Sequence, residues 1–192
     1  MITFIQAKHC GPPRPGMTID LIVVHTMEAP EKPHTARAVA MWFASAQAPQ
    51  ASAHYCIDAD ETIQCVRDDV VAWGAPGANR AGIHLEHAGY ARQSAADWSD
   101  PYSTRMLERS AALAAELVTR HNVPVVHLDG EAMRTIGVRG FCGHVDVTNG
   151  RNGGHGHTDP GVSFPWDRYL ALVQAAMRPT DAPPAAGPDE VA

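Results

Sequence analysis

The sequence lacks the features that mark membrane-spanning, secreted and nucleic-acid-binding proteins. No stretch of about 18 or more apolar residues occurs in the 192-residue chain, so we expect no membrane-spanning helix. The N-terminal segment MITFIQAKHC has no basic stretch followed by an apolar run, as a secretory signal peptide would have. Asp and Glu outnumber Lys and Arg by 21 to 15, and nothing indicates the clustered basic face that nucleic-acid binding usually needs.

Cysteine is scarce, whereas histidine is abundant. The four cysteines, Cys10, Cys56, Cys65 and Cys142, are widely spaced and form no CxxC pair. This spacing argues against a small disulfide scaffold and against a structural zinc ribbon, so we expect buried free thiols. The chain has 11 histidines. Histidine is the commonest metal ligand and a proton carrier near neutral pH, so the composition raises the question of a metal site.

The length and composition indicate one globular domain. Hydrophobic residues make up 45% of the chain and charged residues 19%, which is typical of a folded protein. We assign residues 1–178 to a single domain. Residues 179–192 are rich in proline and alanine, which predicts a disordered tail or the start of a linker.

The hydrophobic pattern predicts an α/β fold, in which a central mixed β-sheet is flanked by about three main helices. The predicted strands are residues 21–24, which end at His25, a hairpin of residues 53–58 and 62–67, residues 82–87, and a short strand at Val125 and Val126. The predicted helices run from about Thr35, as N-cap, to Ala46, from Pro101 to His121, and from Ser163, as N-cap, to Met177. Residues 1–19 and 149–156 are predicted to be an irregular arm and a glycine-rich loop.

Three residues that follow strands or precede turns form a candidate metal site. His25 and His144 each follow an apolar run, and Asp159 precedes Pro160 and Gly161. Each alone is typical of a strand-end histidine or a turn aspartate. Together, two imidazoles and a carboxylate match the ligands of a catalytic zinc site with one open position.

Other residues compete for the third position in this site. His155 and His157 flank Gly156, and a His-Gly-His tract can itself bind a metal. Cys142, two residues before His144, is a weaker alternative.

Six short segments together resemble type 2 N-acetylmuramoyl-L-alanine amidases, a family that includes phage endolysins and animal peptidoglycan recognition proteins. The segments are residues 22–26, 52–58, 73–75, 82–86, 143–146 and 158–161, and they occur in the order of the family. The resemblance covers roughly residues 19–177. Residues 89–93 are most similar to actinobacterial, mycobacterial-type phage endolysins.

The resemblance implies that His25, His144 and Asp159 bind Zn²⁺ and that Glu86 is a catalytic glutamate. His157 stands where many members have a lysine that stabilises the developing oxyanion, so activity is expected to be more sensitive to pH.

The resemblance also suggests further site residues. Tyr55 would contact the substrate or an intermediate, or else fill the core. Trp73, Asn79 and His84 are candidate substrate-binding residues. His84 shares a strand face with Glu86, and His87 lies on the other face. Gly74 replaces a histidine that many members have.

The implied activity is zinc-dependent hydrolysis of the amide bond between N-acetylmuramic acid and L-alanine in peptidoglycan. The alternatives are a non-catalytic peptidoglycan-binding module and a zinc peptidase that cuts the stem peptide. We expect a monomer that is made in a host cytoplasm and reaches the cell wall after holin-mediated release. A bacterial enzyme that recycles soluble wall fragments is the alternative to an endolysin.

Overall fold

A six-stranded mixed sheet forms the centre of the fold. The computed structural model describes residues 2–151 and 156–178. The strands are β1 (Thr3–Phe4), β2 (Leu21–Thr26), β3 (Tyr55–Ile57), β4 (Thr62–Gln64), β5 (Gly82–His87) and β6 (Gly140–Gly143). Their order in the sheet is β1-β4-β3-β5-β2-β6, with β3 and β4 antiparallel and the other neighbours parallel. The single-domain α/β fold with a mixed sheet is confirmed.

Four α-helices pack on the sheet in the described part of the chain. They are α1 (Thr35–Ala44), α2 (Pro101–His121), α3 (His144–Arg151) and α4 (Trp166–Ala176), and two short 3-10 helices span Asp97–Ser99 and Ala132–Arg134. Helices α2 and α4 cover one face, where Leu107, Leu117 and Tyr169 pack with Val24 and Leu85. Helix α1 packs on the other face through residues such as Ala40 and Phe43, against Cys56 and Ile63.

Strand β2 contributes side chains to the cores on both faces of the sheet. All six of its residues are buried. Ile22 and Val24 belong to the core beneath α2, whereas Leu21 and Val23 belong to a smaller core with Cys142. Because side chains alternate along a strand, His25 lies on the same face as Val23. The strand continues to Thr26, so His25 lies within it and not after its end as predicted.

Helix α2 follows its sequence signals closely. Asp100 caps the helix by accepting a hydrogen bond from the backbone N–H of Ser103 at 2.7 Å, and Pro101 occupies the first turn. Asn122 ends the helix in the left-handed conformation, with φ of 53°. The side-chain cap, the proline and the C-terminal asparagine each favour these bounds.

Two other helix starts differ from the prediction. Thr35 is the first residue of α1, and His34 occupies the cap position; the hydroxyl of Thr35 donates to the carbonyl of Pro30 at 2.8 Å. Helix α4 begins at Trp166, directly after Pro165, and Ser163 lies before it.

Two further segments also differ from the prediction. Val125 and Val126 are not in a strand, although the carbonyl of Val126 accepts the N–H of Phe141.

Helix α3 begins inside the segment predicted to lead into a loop. Its Gly150 packs so closely on Met133 that a Cβ there would lie 2.5 Å from the Cβ of Met133. Such tertiary contact can override weak helix propensity.

Other predictions concern the thiols, membrane spans and the tail. Cys56, Cys65 and Cys142 are buried free thiols, and Cys10 is partly buried. Within residues 2–151 and 156–178, no helix is long and apolar enough to cross a bilayer. The predicted tail and His155 lie outside the described residues.

Candidate metal site

The candidate metal site combines His25, His144 and Asp159, all of which are buried. One ligand atom from each lies within 4.8 Å of the others. Nδ1 of His25 is 2.9 Å from Oδ2 of Asp159, and Nδ1 of His144 is 3.4 Å from Oδ1. The fold therefore brings together residues that are far apart in the chain.

Strand pairing sets the positions of His25 and Glu86. Strands β2 and β5 are parallel neighbours, and the Cα of His25 is opposite that of Glu86. Paired residues of neighbouring strands face the same side of a sheet. The carboxyl group of Glu86 is thus beside the imidazole of His25.

Residue His144 is placed by the junction between β6 and α3. It is the first residue of the helix, directly after the strand. The carboxylate of Asp146 accepts the backbone N–H of Gly143 at 2.7 Å and lies 3.1 Å from Nε2 of His127. His127 in turn stacks on Trp166, with ring centroids 4.0 Å apart. This network fixes the turn that presents His144.

A turn that is packed against the end of β6 places Asp159. The carbonyl of Asp159 accepts the N–H of Val145 at 2.9 Å, which ties the turn to α3. Gly143 leaves room for Pro160, since a Cβ at Gly143 would lie 2.5 Å from Cδ of that proline. The rigid Asp-Pro-Gly turn expected from the sequence thus holds the carboxylate against both histidines.

The surroundings of Asp159 favour the ionised form of its carboxyl group. Burial acts to raise its pKa, but hydrogen bonds with His144 and His25 outweigh burial and hold the pKa well below the usual range for aspartate. The carboxylate therefore remains ionised at neutral pH, as a metal ligand must.

The chemistry of this donor set fits zinc. The two histidines approach different oxygens of Asp159, at 2.9 and 3.4 Å. One ligand atom from each of the three residues lies within 4.8 Å of the other two, so a single ion between them is within reach of all three side chains. Two imidazoles and one carboxylate are also the donors of many catalytic zinc sites with an open position.

The side chain of Glu86, which is partly exposed, lies beside this cluster. Within the described residues, its Oε2 is buried and has no hydrogen-bond partner. Burial, followed by the charges of Asp159 and Glu28, raises its pKa well above the usual value for glutamate. A raised pKa makes the ionised carboxylate a better proton acceptor, as a group that takes a proton from water and then releases it in general acid–base catalysis needs.

His157 lies at the edge of the same cluster. Its ring stacks on that of His144 at a centroid distance of 3.7 Å, and its Nδ1 is 3.7 Å from Oδ1 of Asp159. Its side chain is 48% exposed. Burial, followed by the nearby His144, lowers its pKa, so the neutral ring predominates at neutral pH. A neutral imidazole can still donate one N–H to a substrate.

These groups line an open cleft of about 530 Å³. Its floor includes His25, His144, Asp159, Glu86 and His157. One wall is apolar and comes from α1, with Val39, Trp42 and Phe43, and Gly74 also lines the cleft.

The role of the α1 wall was not predicted from the sequence. Trp42 is 48% exposed, so it lies outside the core that α1 forms with the sheet. The neighbouring Met41 is also exposed, so the apolar arc of α1 is wider than the face it buries. The wide apolar arc is a signal in the sequence that α1 does more than pack on the sheet.

Tyr55 does not reach the cleft. It is in register with Leu85 on β5 and belongs to the core beneath α2, on the opposite face of the sheet. Its hydroxyl donates to Oδ1 of Asp68 at 2.7 Å, and burial raises its pKa. The position does not support the catalytic role expected for Tyr55, and it agrees with the alternative of core packing.

Trp73 and Asn79 also lie outside the lining of the cleft. Trp73 stacks on His9 and lines a separate cavity of about 300 Å³ beside the N-terminal arm. The side-chain oxygen of Asn79 accepts the N–H groups of Gly74 and Ala75 at 3.0 and 2.7 Å. In this structure both residues support the loop that borders the cleft, so their expected contact with substrate has no support in their positions.

His84 lies behind His25 and not in the cleft. It shares the face of Glu86, as predicted, but it is fully buried. Its Nδ1 is 3.0 Å from Nε2 of His25. Burial, followed by the charge of His25, lowers its pKa well below the usual value, which favours the neutral ring.

His87 points to the opposite face, where its Nε2 is 2.6 Å from the hydroxyl of Ser110, as the strand alternation predicts.

The sequence of the chain matches one known family over most of its length. The sequence profile described as N-acetylmuramoyl-L-alanine amidase matches residues 15–162. The chain belongs to this amidase family. Among functionally curated proteins, no sequence matches it.

Solved structures of similar fold agree with this assignment. The hydrolase AmiA of Staphylococcus aureus, in complex with its ligand, has a TM-score of 0.68 and 19% identity, over 92% of this amidase and 83% of AmiA. An AmpD derivative has a TM-score of 0.61 and 22% identity, over 90% and 94% of the two chains. The endolysin amidase LysCS from Clostridium intestinale has a TM-score of 0.59 and 16% identity, over 91% and 95%. At these identities the likeness concerns the fold.

Replacing Gly74 by alanine is expected to destabilise the amidase by about 1–3 kcal/mol, as overpacking of a core does. The new Cβ would lie 2.6 Å from Nδ1 of the buried His84. Equilibrium unfolding in urea measures the change in the free energy of unfolding. The same substitution in a His84→Ala background should cost much less, because the colliding ring is absent. Equal costs in the two backgrounds would contradict this collision.

Proposed function

We propose that this amidase uses zinc to hydrolyse the amide bond between N-acetylmuramic acid and L-alanine in bacterial peptidoglycan. The observation that carries the proposal is the convergence of His25, His144 and Asp159 beside Glu86 on the floor of an open cleft. The family description supports the choice of bond. The donor set supports the choice of metal.

The residues of the site have three different roles in the proposed reaction. His25, His144 and Asp159 would hold the zinc ion, which would supply a Lewis acid for the scissile carbonyl and lower the pKa of water. Glu86 takes the proton of the attacking water on its carboxylate and passes it to the leaving nitrogen of L-alanine. His157, at the exposed edge of the cluster, donates a ring N–H to the negative charge that develops on the carbonyl oxygen.

The shape of the cleft suits a polymer of sugar and peptide. The apolar wall of Val39, Trp42 and Phe43 provides contact area, and the ionisable side chains, including Glu28, line other parts of the cleft. Binding sites commonly combine an apolar lining with a few polar groups that fix orientation. We place the sugar–peptide junction over the floor, with the exposed indole of Trp42 against the substrate.

We further propose that the enzyme is a lytic amidase of a phage with an actinobacterial host, made in the host cytoplasm and released to the wall through holin lesions. The resemblance of residues 89–93 to actinobacterial phage endolysins supports this role, whereas the fold is shared by the endolysin LysCS and by AmiA and AmpD alike. Turnover of intact sacculi should exceed turnover of soluble wall fragments. A strong preference for soluble fragments would instead support a bacterial recycling enzyme.

Substitution of Glu86 by glutamine is expected to lower turnover about 10²- to 10⁴-fold, the usual contribution of a general acid–base group. Dye release from labelled cell walls measures turnover, and metal analysis should show that zinc stays bound. The matched control is Glu28→Gln, since that carboxylate also lines the cleft but accepts hydrogen bonds from Thr26 and Ala91. Turnover by Glu28→Gln should fall less than about tenfold, which is below the loss expected for a catalytic acid–base group.

Two outcomes would contradict this account. Near-normal dye release by Glu86→Gln would remove Glu86 from the mechanism. Wall binding by the unmodified enzyme without dye release, unaffected by chelator, would indicate a binding module and not an amidase.

Substitution of Asp159 by alanine is expected to abolish stoichiometric zinc binding, because the two histidines alone form an incomplete site. Metal analysis after dialysis against zinc measures the bound ion. His157→Ala is the control, since its ring also faces the cluster and it should keep its zinc. Full retention of zinc by Asp159→Ala, with loss in His157→Ala or His155→Ala, would assign the third ligand to a histidine.

A further inference from the structure

We propose that His84 is a positioning residue, which holds the metal ligand His25 in the ring orientation and tautomer that bind zinc. This inference rests on the proposed function, because it requires a metal at His25. The family resemblance does not assign the role, and the sequence analysis placed His84 at the substrate.

The contact between the two rings carries the inference. Nδ1 of His25 faces Asp159 at 2.9 Å, and Nε2 of the same ring faces Nδ1 of His84 at 3.0 Å. When Nδ1 of His25 binds a metal, the neutral ring carries its proton on Nε2. That proton is then donated to Nδ1 of His84.

A fixed partner for the second nitrogen matters for metal binding. Metal-binding histidines almost always donate their other N–H to a carboxylate, a backbone carbonyl or water, which fixes the tautomer and the ring orientation. His25 is 2% exposed and His84 is fully buried, so the protein itself supplies this partner. A buried imidazole here takes the place of the usual carboxylate or carbonyl.

His84 is held rigidly enough to serve as that partner. Its ring stacks on His54, with centroids 5.6 Å apart and planes inclined by 8°. Nδ1 of His54 also accepts the backbone N–H of His84 at 3.0 Å. On another side, Gly74 leaves no room for movement, because even a Cβ at that position would lie 2.7 Å from Cγ of His84.

The support extends from His54 to the N-terminal arm. Nε2 of His54 lies 3.1 Å from the carbonyl of Val70 and 2.9 Å from Nη2 of Arg14. The guanidinium of Arg14 also donates to the carbonyls of Asp68, Arg80 and Gly82. The buried histidines His54 and His84 therefore connect the arm to the metal site. This arrangement also explains Gly74, since any side chain there would collide with His84.

The test compares zinc affinity in three variants of the full-length amidase. In His84→Leu the ring is replaced by an apolar side chain of similar bulk that accepts no hydrogen bond. In His84→Asn a side-chain oxygen stands at the position of Nδ1 and can accept the proton of His25. His87→Leu is the matched control, because His87 is buried on the same strand but its ring faces α2 and α4. Its Nδ1 contacts the backbone carbonyl of His25 at 3.1 Å and not the imidazole, so this variant also controls for the loss of a backbone contact at His25. Competition with a chromophoric chelator gives the Kd for zinc.

We expect His84→Leu to bind zinc about 10- to 100-fold more weakly, which is the usual effect of losing such a partner. His84→Asn should recover most of the affinity. His87→Leu should bind zinc as the unmodified enzyme does, even if it lowers the melting temperature. Equal losses in His84→Leu and His87→Leu would overturn the inference, because they would indicate general weakening of β5. Undiminished affinity in His84→Leu would overturn it as well.

Nitrogen NMR of the zinc-loaded unmodified enzyme gives an independent result, even if His84→Leu does not fold. The inference requires a proton on Nε2 of His25 and the metal on Nδ1, and the opposite tautomer would overturn it. Failure of the unmodified enzyme to bind zinc would remove the zinc from the proposed function, and the role of His84 with it. Normal zinc binding that is insensitive to His84 would remove only the role of His84.

Discussion

The in-register parallel pairing of β2 with β5 is the constraint on which the candidate site depends. It places His25 beside Glu86, and through the same strand it places His84 behind His25. The metal ligand, the proposed proton carrier and the proposed positioning residue therefore come from two adjacent strands. Because a slip of one residue would turn each side chain to the opposite face, the apolar cores on both faces protect this register.

The sheet separates the reactive side of the molecule from its main structural core. Tyr55 and His87 face α2 and α4, where their polar atoms are hydrogen-bonded to Asp68 and Ser110. On the cleft side, α1 and α3 each pack on part of the sheet, and a loop, α1 and the turn at Asp159 border an open space. Functional groups at the carboxyl ends of parallel strands commonly occupy such a position. The well-packed core beneath α2 and α4 thus stabilises a sheet whose other face carries the partly exposed site.

The sequence predicted those parts of the fold that local signals determine. Strand β5 and helix α2 have the expected bounds, since alternation, an Asp-Pro start and a terminal asparagine are properties of the chain itself. The grouping of His25, His144 and Asp159 came from the family resemblance, because no local pattern joins residues so far apart. The helix α3, the exposure of Trp42 and the burial of His84 depend on neighbours in space. The sequence therefore identified the chemistry of the site better than its surroundings.

Mass spectrometry of the products released from intact peptidoglycan tests the central claim most directly. The account predicts stem peptides that begin with a free L-alanine amino group, together with glycan chains whose muramic acid carries no peptide. These products should disappear in the presence of chelator and return when zinc is restored. Peptides cut at an internal bond, with L-alanine still attached to muramic acid, would contradict the account and identify a peptidase.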